Sequence, residues 1–359
     1  MKILIIGPLP PPVYGVSLSN QVLRKGLTNK EHLVYSINTS SSKRIDAKIG
    51  SLNILKLGFA FNYFSLYKIM FVDLVYITTG QTFFGIIKYA PFVFISKLLG
   101  KKVIVHVKGG YLKRAYSEMP LLKQKIVRII LSNYSSGIVL SKSLVQLLEP
   151  FLPKERIFIQ HNFIQKTLIN DEHESILHKK RHERLNVIFL SNLMREKGIY
   201  ELLEALKSLE DMKIPYEARI AGNIPIQEKG ILEKIENLKN TSYLGVVNGK
   251  EKKDLLVWGN VFCLPTYYKM EGQPISIIEA MGFGNLILTT RHAGIPDICS
   301  EDSTFFVEKR NQKDILEKLI HANNNLTNVL TIGRYNLNFA NELYSEEKFI
   351  DGMIKIFES

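Results

Sequence analysis

The chain has 359 residues, of which 46% are hydrophobic and 23% charged, and its formal net charge is +13. That length exceeds what one hydrophobic core usually fills, so we expect two domains, and the composition excludes a disordered or low-complexity protein. Residues 1–165 carry 22 Lys and Arg against 6 Asp and Glu. Such a surplus predicts a polyanionic neighbour, namely an anionic membrane surface, nucleic acid or a phosphate-bearing substrate, although a solvated surface alone could also carry it.

The two cysteines, Cys263 and Cys299, match no metal or redox spacing, which indicates a reducing, cytoplasmic compartment. Residues 3–23 are uncharged, but prolines at 8 and 10–12 interrupt them. We therefore predict neither a signal peptide nor a membrane-spanning helix there.

The N-terminal part predicts alternating strands and helices, the pattern of an α/β domain with a parallel sheet. The first strand is expected at Lys2–Gly7, followed by a proline loop and a helix from about Ser17 to Leu27. Gly15 lies in that loop, where a glycine lets a ligand approach the backbone closely. Further strands are predicted at residues 73–78, 101–110, 136–141 and 156–162.

Residues 51–99 are rich in Phe, Tyr, Ile and Leu, and lysines recur among them at positions 56, 68, 88 and 97. Helices of this composition can lie in a membrane interface, with lysines reaching anionic headgroups and aromatic rings entering the acyl boundary. The same helices could instead face the core of the domain, and both interpretations can hold for different faces of one helix.

His106 and Lys108 stand at the end of the strand predicted at 101–110. Carboxyl ends of parallel strands open into the ligand crevice, so either side chain could face a substrate there. A histidine after a strand is more often structural than catalytic, which leaves the choice between the two open.

Residues 166–184 are charged, rich in histidine and without a strand pattern, as expected for a linker. Histidines 161, 173, 178 and 182 show no ligand spacing with carboxylates or thiols, so no metal site is predicted. A second α/β domain follows with a strand at 185–190, a loop SNLMREKG at 191–198 and a helix from Ile199 to Leu206. Further strands are predicted at 216–221, which Gly222 ends, and at 242–246, 260–264 and 285–289.

The stretch EGQPISIIEAMGFGNLILTT, residues 271–290, places two glutamates around the start of a helix. Pro274 suits the first helical position because it lacks an N–H and its φ is already helical. The backbone donors at such a helix start attract an anion. Glu271 and Glu279 would then frame the mouth of a pocket, although such a spacing alone is common on protein surfaces.

This stretch resembles the EG-(F/Q)-P-x4-EAM-x2-G pattern of the retaining GT-B glycosyltransferases of family 4. The loop SNLMREKG is similar to that family's G-R-L-x2-E-K-G element, with Ser191-Asn192 in place of Gly-Arg and Arg195 as the substitute cation. Lys108 stands directly before a glycine, where the family has histidine.

The resemblance implies an α/β GT-B fold, with two Rossmann-like α/β/α domains facing a central cleft. Residues 1–165 would bind the acceptor, 166–184 would be a linker, 185–340 would bind the nucleotide sugar, and 341–359 would form a helix that packs back on the first domain. The implied activity is transfer of a sugar, with retention of configuration, from a nucleotide diphosphate sugar to a glycan or a lipid-diphosphate-linked acceptor of bacterial surface polysaccharide, such as capsule or lipopolysaccharide.

The resemblance also assigns roles to residues. The catalytic candidates are Glu271, His106 and Lys108, and the donor-binding residues are Gly15, Asn192, Arg195, Lys197, Gly222, Gly272, Gln273, Pro274, Ile275 and Glu279. We expect no metal and no cofactor, no nucleic-acid partner, and a cytoplasmic protein that attaches peripherally to the inner face of the plasma membrane. The alternative is a nucleotide-sugar epimerase or a phosphorylase on the same scaffold.

Overall fold

The computed structural model describes residues 1–40, 63–169, 176–177 and 183–359. These residues form two compact units. The first comprises Met1–Asn162, Met270–Gln273 and Glu347–Ser359, and the second Phe163–Lys269 and Pro274–Glu346. The lysine at 56 and the histidines at 173, 178 and 182, on which the sequence interpretation drew, lie outside the described residues.

The first unit contains a six-stranded sheet in the order β2-β1-β3-β4-β5-β6, with every neighbouring pair parallel. Its central strands are apolar runs buried on both faces because helices cover the sheet. The strands are β1 (Lys2–Gly7), β2 (Leu33–Asn38), β3 (Leu74–Thr78), β4 (Lys102–Val107), β5 (Ser136–Val139) and β6 (Ile157–Ile159). The α-helices of this unit before residue 163 are Gly15–Asn29, Phe83–Ile87, Ala90–Leu98, Leu112–Ser117 and Leu121–Ser132, with 3₁₀ segments at Tyr63–Phe71, Lys142–Leu147 and Lys154–Arg156.

The second unit repeats this architecture, with a parallel sheet in the order β12-β11-β10-β7-β8-β9. The strands are β7 (Leu185–Leu190), β8 (Tyr216–Ala221), β9 (Thr241–Tyr243), β10 (Val261–Leu264), β11 (Leu286–Thr290) and β12 (Thr304–Val307). Its α-helices are Ile199–Asp211, Ile231–Glu236, Gly249–Trp258, Ile275–Gly282, Gln312–Asn324 and Leu326–Leu343, with 3₁₀ segments at Arg195–Lys197, Ile226–Glu228 and Ile295–Asp297. The prediction of two α/β domains with parallel sheets is confirmed.

The terminal helix begins later than predicted, at Glu346 rather than near residue 341. The preceding helix continues to Leu343. Directly after it, Ser345 forms a parallel bridge with Ile164, whose N–H donates to the Tyr344 carbonyl. The helix Glu346–Glu358 then packs within the first unit, where the Phe357 ring lies 5.7 Å from that of Tyr76.

Across the described part of the chain, each helix is too short or too polar to traverse a bilayer.

Candidate active site

The two cations predicted to bind phosphate lie in the second unit, in the short 3₁₀ turn Arg195–Lys197 that follows β7. The turn ends at Gly198, whose φ of 81° is in the left-handed region. A Cβ at this position would lie 2.4 Å from the carbonyl oxygen of Pro265. Glycine is therefore required, and it lets the turn pack directly against the backbone beyond β10.

Arg195 is exposed, yet its guanidinium has a defined place over the Tyr200 ring, with 4.1 Å between Cζ and the ring centroid. The Tyr200 hydroxyl donates to Oε2 of Glu228 at 2.5 Å, and Oε1 of the same carboxylate accepts the Arg195 backbone N–H at 3.2 Å. Burial, together with Glu228, raises the pKa of Tyr200 to about 12, so the hydroxyl keeps its proton. The cation is thus pre-positioned at low entropic cost.

Lys197 is partly buried, and its Nζ lies 5.1 Å from the centroid of the Tyr268 ring. Tyr268 belongs to a loop after β10 that contacts the turn Arg195–Lys197, which we call the cation turn. The Glu196 carbonyl in this turn accepts the Tyr267 N–H at 2.8 Å and the Thr266 hydroxyl at 3.3 Å. The cation turn and residues 266–268 therefore form one connected cluster.

Gly222 lets the ends of β7 and β8 approach each other. Its φ is 143°, and a Cβ there would lie 1.8 Å from the Ser191 carbonyl oxygen. The Gly222 carbonyl accepts the Tyr243 hydroxyl at 2.7 Å. Asn192 is exposed beside this contact, and its carbonyl accepts the Met194 N–H at 2.8 Å.

Glu279 is 1% exposed on the helix Ile275–Gly282, and its carboxylate forms an ion pair with Lys252 at 2.5 Å. Burial raises the pKa of Glu279, and the Lys252 ammonium opposes that rise. Sequence reasoning missed Lys252, because the run KEKK at 250–253 has the composition of a solvated helix face.

The helix predicted to begin at Pro274 begins one residue later. Pro274 is the N-cap, with an extended ψ of 119°, and Ile275 is the first helical residue. The proline ring fixes φ near the helical value but does not fix ψ, so Pro274 can keep the extended ψ of the preceding loop.

Met270–Gln273 belong to the first unit, although the sequence prediction placed them in the domain 185–340. A Cβ on Gly272 would lie 2.6 Å from the Lys108 carbonyl oxygen, so only glycine permits this approach. The Gln273 side chain accepts the Asn162 N–H at 2.7 Å and donates to the Leu140 carbonyl at 3.1 Å. Its amide is therefore occupied by backbone partners, while Glu271 beside it is 8% exposed.

Of the two candidates at the end of β4, the Lys108 backbone is the one that lies against Gly272. The Lys108 ammonium donates to the Ser19 hydroxyl at 2.8 Å and lies 5.4 Å from the Phe349 ring, and burial lowers its pKa to about 7. His106 is fully buried, with Nδ1 2.8 Å from the Tyr76 hydroxyl. Burial and, to a lesser extent, Lys108 hold the His106 pKa well below its usual value, so this imidazole is neutral.

Gly15 is exposed as the first residue of the helix Gly15–Asn29, two positions before the predicted start. Within the first unit, the structure thus brings Lys108 and Gly272 together. Within the second unit, it joins Arg195 and Lys197 in one turn and pairs Glu279 with Lys252.

The two parallel six-stranded sheets have the GT-B fold, as predicted. Anabaena HepE, solved in complex with UDP and glucose, matches with a TM-score of 0.75 over 100% of both chains at 15% sequence identity. At that identity the likeness shows the fold.

Residues 170–329 match the model of the family described as glycosyl transferases group 1. The matched residues make up slightly less than half of the chain.

Several curated proteins share sequence with parts of the chain. WcaL of Escherichia coli K12, a glycosyltransferase ascribed to colanic acid biosynthesis, is 26% identical over 144 residues, which are 38% of this chain and 36% of that protein. AmsK of Erwinia amylovora, an amylovoran biosynthesis glycosyltransferase, is 25% identical over 152 residues, 41% of this chain and 36% of that protein. The matched part spans about a third of the length of these relatives.

Proposed function

We propose that this protein is a retaining glycosyltransferase that moves a sugar from a nucleotide diphosphate sugar to a glycan or lipid-linked acceptor during synthesis of a bacterial surface polysaccharide, such as capsule, O-antigen or exopolysaccharide. The family match supports the reaction class. The names of WcaL and AmsK support the polysaccharide, and HepE with bound UDP supports a nucleotide donor. The observation that carries the proposal is the cation turn, in which Arg195 and Lys197 are both held against aromatic rings after a parallel strand.

Departure of a nucleoside diphosphate from a sugar builds negative charge on the phosphate oxygens. Arg195 offers a planar fork and Lys197 a point charge to those oxygens, and both interactions strengthen as the bond breaks. In this proposal the two side chains neutralise the diphosphate and no metal ion takes part. The acceptor hydroxyl attacks the sugar carbon from the face that the diphosphate leaves, and its proton passes to an oxygen of the departing diphosphate, so the configuration at the sugar carbon is retained.

The proposed roles of the carboxylates are to accept hydrogen bonds from hydroxyl groups of the donor. Glu279 would bind the ribose, and Glu271 would bind the transferred sugar without forming a covalent intermediate. A charge-assisted hydrogen bond of this kind contributes about 1.5 to 3 kcal/mol, which is enough to select a donor among related sugars.

A panel of nucleotide sugars should identify the donor by thermal stabilisation. A donor at 100 times its dissociation constant adds about 2.7 kcal/mol to the free energy of unfolding, whereas non-binding donors add nothing. The best donor is then incubated with lipid-linked acceptors, and proton NMR of the product reports the anomeric configuration. We expect the configuration of the donor to be kept and EDTA to leave the rate unchanged.

Inversion at the sugar carbon would contradict the retaining mechanism while leaving the transfer reaction intact. Consumption of the donor in the absence of any acceptor would instead favour an epimerase.

The first unit also presents a basic, apolar face formed by the segments Tyr63–Phe71, Ala90–Leu98 and Leu121–Ser132. The helix Ala90–Leu98 packs against both other segments. Large apolar side chains are exposed on this face and just beyond it, at Tyr67, Met70, Phe71, Phe94, Leu98, Leu99, Leu121, Leu122 and Ile129. A solvated helix face would carry polar residues at these places.

The charges of this face fit an anionic bilayer. Its three segments contain five cations, Lys68, Lys97, Lys123, Lys125 and Arg128, and no carboxylate. Each cation near an anionic membrane surface contributes about 1 kcal/mol, and the apolar side chains can enter the acyl boundary. We therefore propose that this face attaches the protein to the cytoplasmic leaflet, where a lipid-linked acceptor resides.

Flotation with vesicles tests this attachment. Wild-type protein should float with vesicles that contain phosphatidylglycerol and remain behind with neutral phosphatidylcholine. Replacing Phe71 and Leu98 together by glutamate should weaken flotation by at least about tenfold, because two apolar contacts become two repelling charges. As a control, Met212→Glu with Ile226→Glu introduces the same two charges at exposed apolar positions of the second unit and should leave flotation unchanged.

Equal flotation of wild type and the double variant would overturn the assignment of this face. A dimer in light scattering that the double variant abolishes would show that a second copy of the chain covers it instead.

A further inference from the structure

A buried ion pair joins two helices of the second unit. Nζ of Lys252, on the helix Gly249–Trp258, lies 2.5 Å from Oε1 of Glu279, on the helix Ile275–Gly282. Their side chains are 14% and 2% exposed. Glu279 is the single charged residue of its helix, between buried Ile278 and Ala280.

Stability alone gives a weak reason for such a pair. Desolvating two charges costs about as much as their attraction returns, so well-packed apolar residues of the same volume are usually as stable. A buried ion pair that adds little stability suggests that the charge of Glu279 serves in binding. Lys252 engages one carboxylate oxygen of Glu279, and Oε2 takes no hydrogen bond from the described residues.

We propose that Lys252 is a positioning residue for the donor: it keeps the Glu279 carboxylate ionised and oriented, so that the second oxygen accepts the hydroxyls of a nucleoside diphosphate. This inference rests on the proposed function and adds a residue to it. Lys252 acts through Glu279 and is not itself a catalytic residue.

The charges around Glu279 make the idea testable by pH. The helix Leu326–Leu343 and strands β10 and β11 pack against its helix. Among the described residues, Lys252 is the group whose charge acts on the pKa of Glu279, and burial is the other cause. Without the ammonium, burial acts unopposed, so the carboxyl should hold its proton to higher pH.

The experiment compares Lys252→Met with wild type in UDP binding and in thermal stability between about pH 6 and pH 9. At the acidic end, the variant should bind UDP at least about tenfold more weakly, because a protonated Glu279 is a poor acceptor, and affinity should recover towards the alkaline end. Stability should change in the opposite direction. A carboxyl whose folded pKa is raised contributes stability at low pH that is lost as pH rises through that pKa, so the variant melts further below wild type at alkaline pH.

Opposite pH trends in binding and stability distinguish a positioning role from a folding defect, in which both deficits would grow together. Lys252→Arg keeps the cation and should restore UDP binding. Lys250→Met, at an exposed position of the same helix, should match wild type throughout. An unchanged UDP affinity in Lys252→Met, or a loss that is the same at every pH, overturns the proposal. Wild-type protein that binds none of UDP, GDP, ADP or CDP overturns the proposed function, and this inference with it.

Discussion

Replacing Lys197 by alanine is expected to lower kcat/KM for sugar transfer by about 100-fold, equivalent to roughly 2.7 kcal/mol of transition-state stabilisation. The ammonium lies in the cation turn beside the Tyr268 ring, and in our proposal it meets the charge that builds on the departing diphosphate. Because that charge grows as the bond breaks, most of the loss should appear in kcat rather than in KM. Steady-state kinetics with the identified donor measures both constants.

Lys207→Ala is the matched control. It removes an exposed lysine from the next helix, where its ion pair with Asp211 is worth little in water. This control should stay within about twofold of wild type. A Lys197 variant whose kcat/KM lies within about threefold of wild type would remove the cation turn from the mechanism, since one lost charge-assisted hydrogen bond already predicts at least about tenfold.

The cation turn and both glutamates were predicted from the resemblance to the GT-B glycosyltransferases, because the spacing of such charged residues is by itself common on protein surfaces. The sequence could not reveal how those residues are held. Tyr200 and Glu228 fix Arg195 from a helix and a distant 3₁₀ segment, and such a contact has no local pattern. The ion pair of Lys252 could not be predicted for the same reason, since only the fold shows that this lysine contacts Glu279.

Element types were more predictable than element ends and unit membership. The apolar runs predicted ten of the twelve described strands to within a few residues, because burial on both faces of a parallel sheet demands them. The edge strands β2 and β12 were not predicted, since they are only partly buried and lack such a run. The last two helices are separated at Tyr344 and Ser345, where the chain pairs with Ile164. Because Ile164 is distant in sequence, the helical periodicity of residues 341–357 did not reveal this separation. Likewise, Met270–Gln273 join the first unit through contacts with Lys108, Leu140 and Asn162, none of them local in sequence.

Gly222→Ala is expected to be the most destabilising single-methyl substitution among those considered. The added Cβ would lie 1.8 Å from the Ser191 carbonyl oxygen, and the φ of 143° is one that L side chains rarely adopt. Strain and overpacking together should cost about 3 kcal/mol or more. For a unit of this size that lowers Tm by about 6 to 12 °C, which differential scanning calorimetry would resolve as a shift of the second unit's transition.

Gly230→Ala provides the comparison in the same unit. Gly230 has a φ of −73°, and a Cβ there would meet open space, so alanine should change Tm by less than about 2 °C. If both substitutions gave equally small shifts, the close approach of β7 and β8 at Ser191 would be wrong. If Gly222→Ala alone is destabilised, the close approach of β7 and β8 beside the cation turn holds in solution. The proposed recognition of a diphosphate depends on that approach, because hydrogen-bond donors that are in place before the ligand arrives need no reorganisation when charge develops.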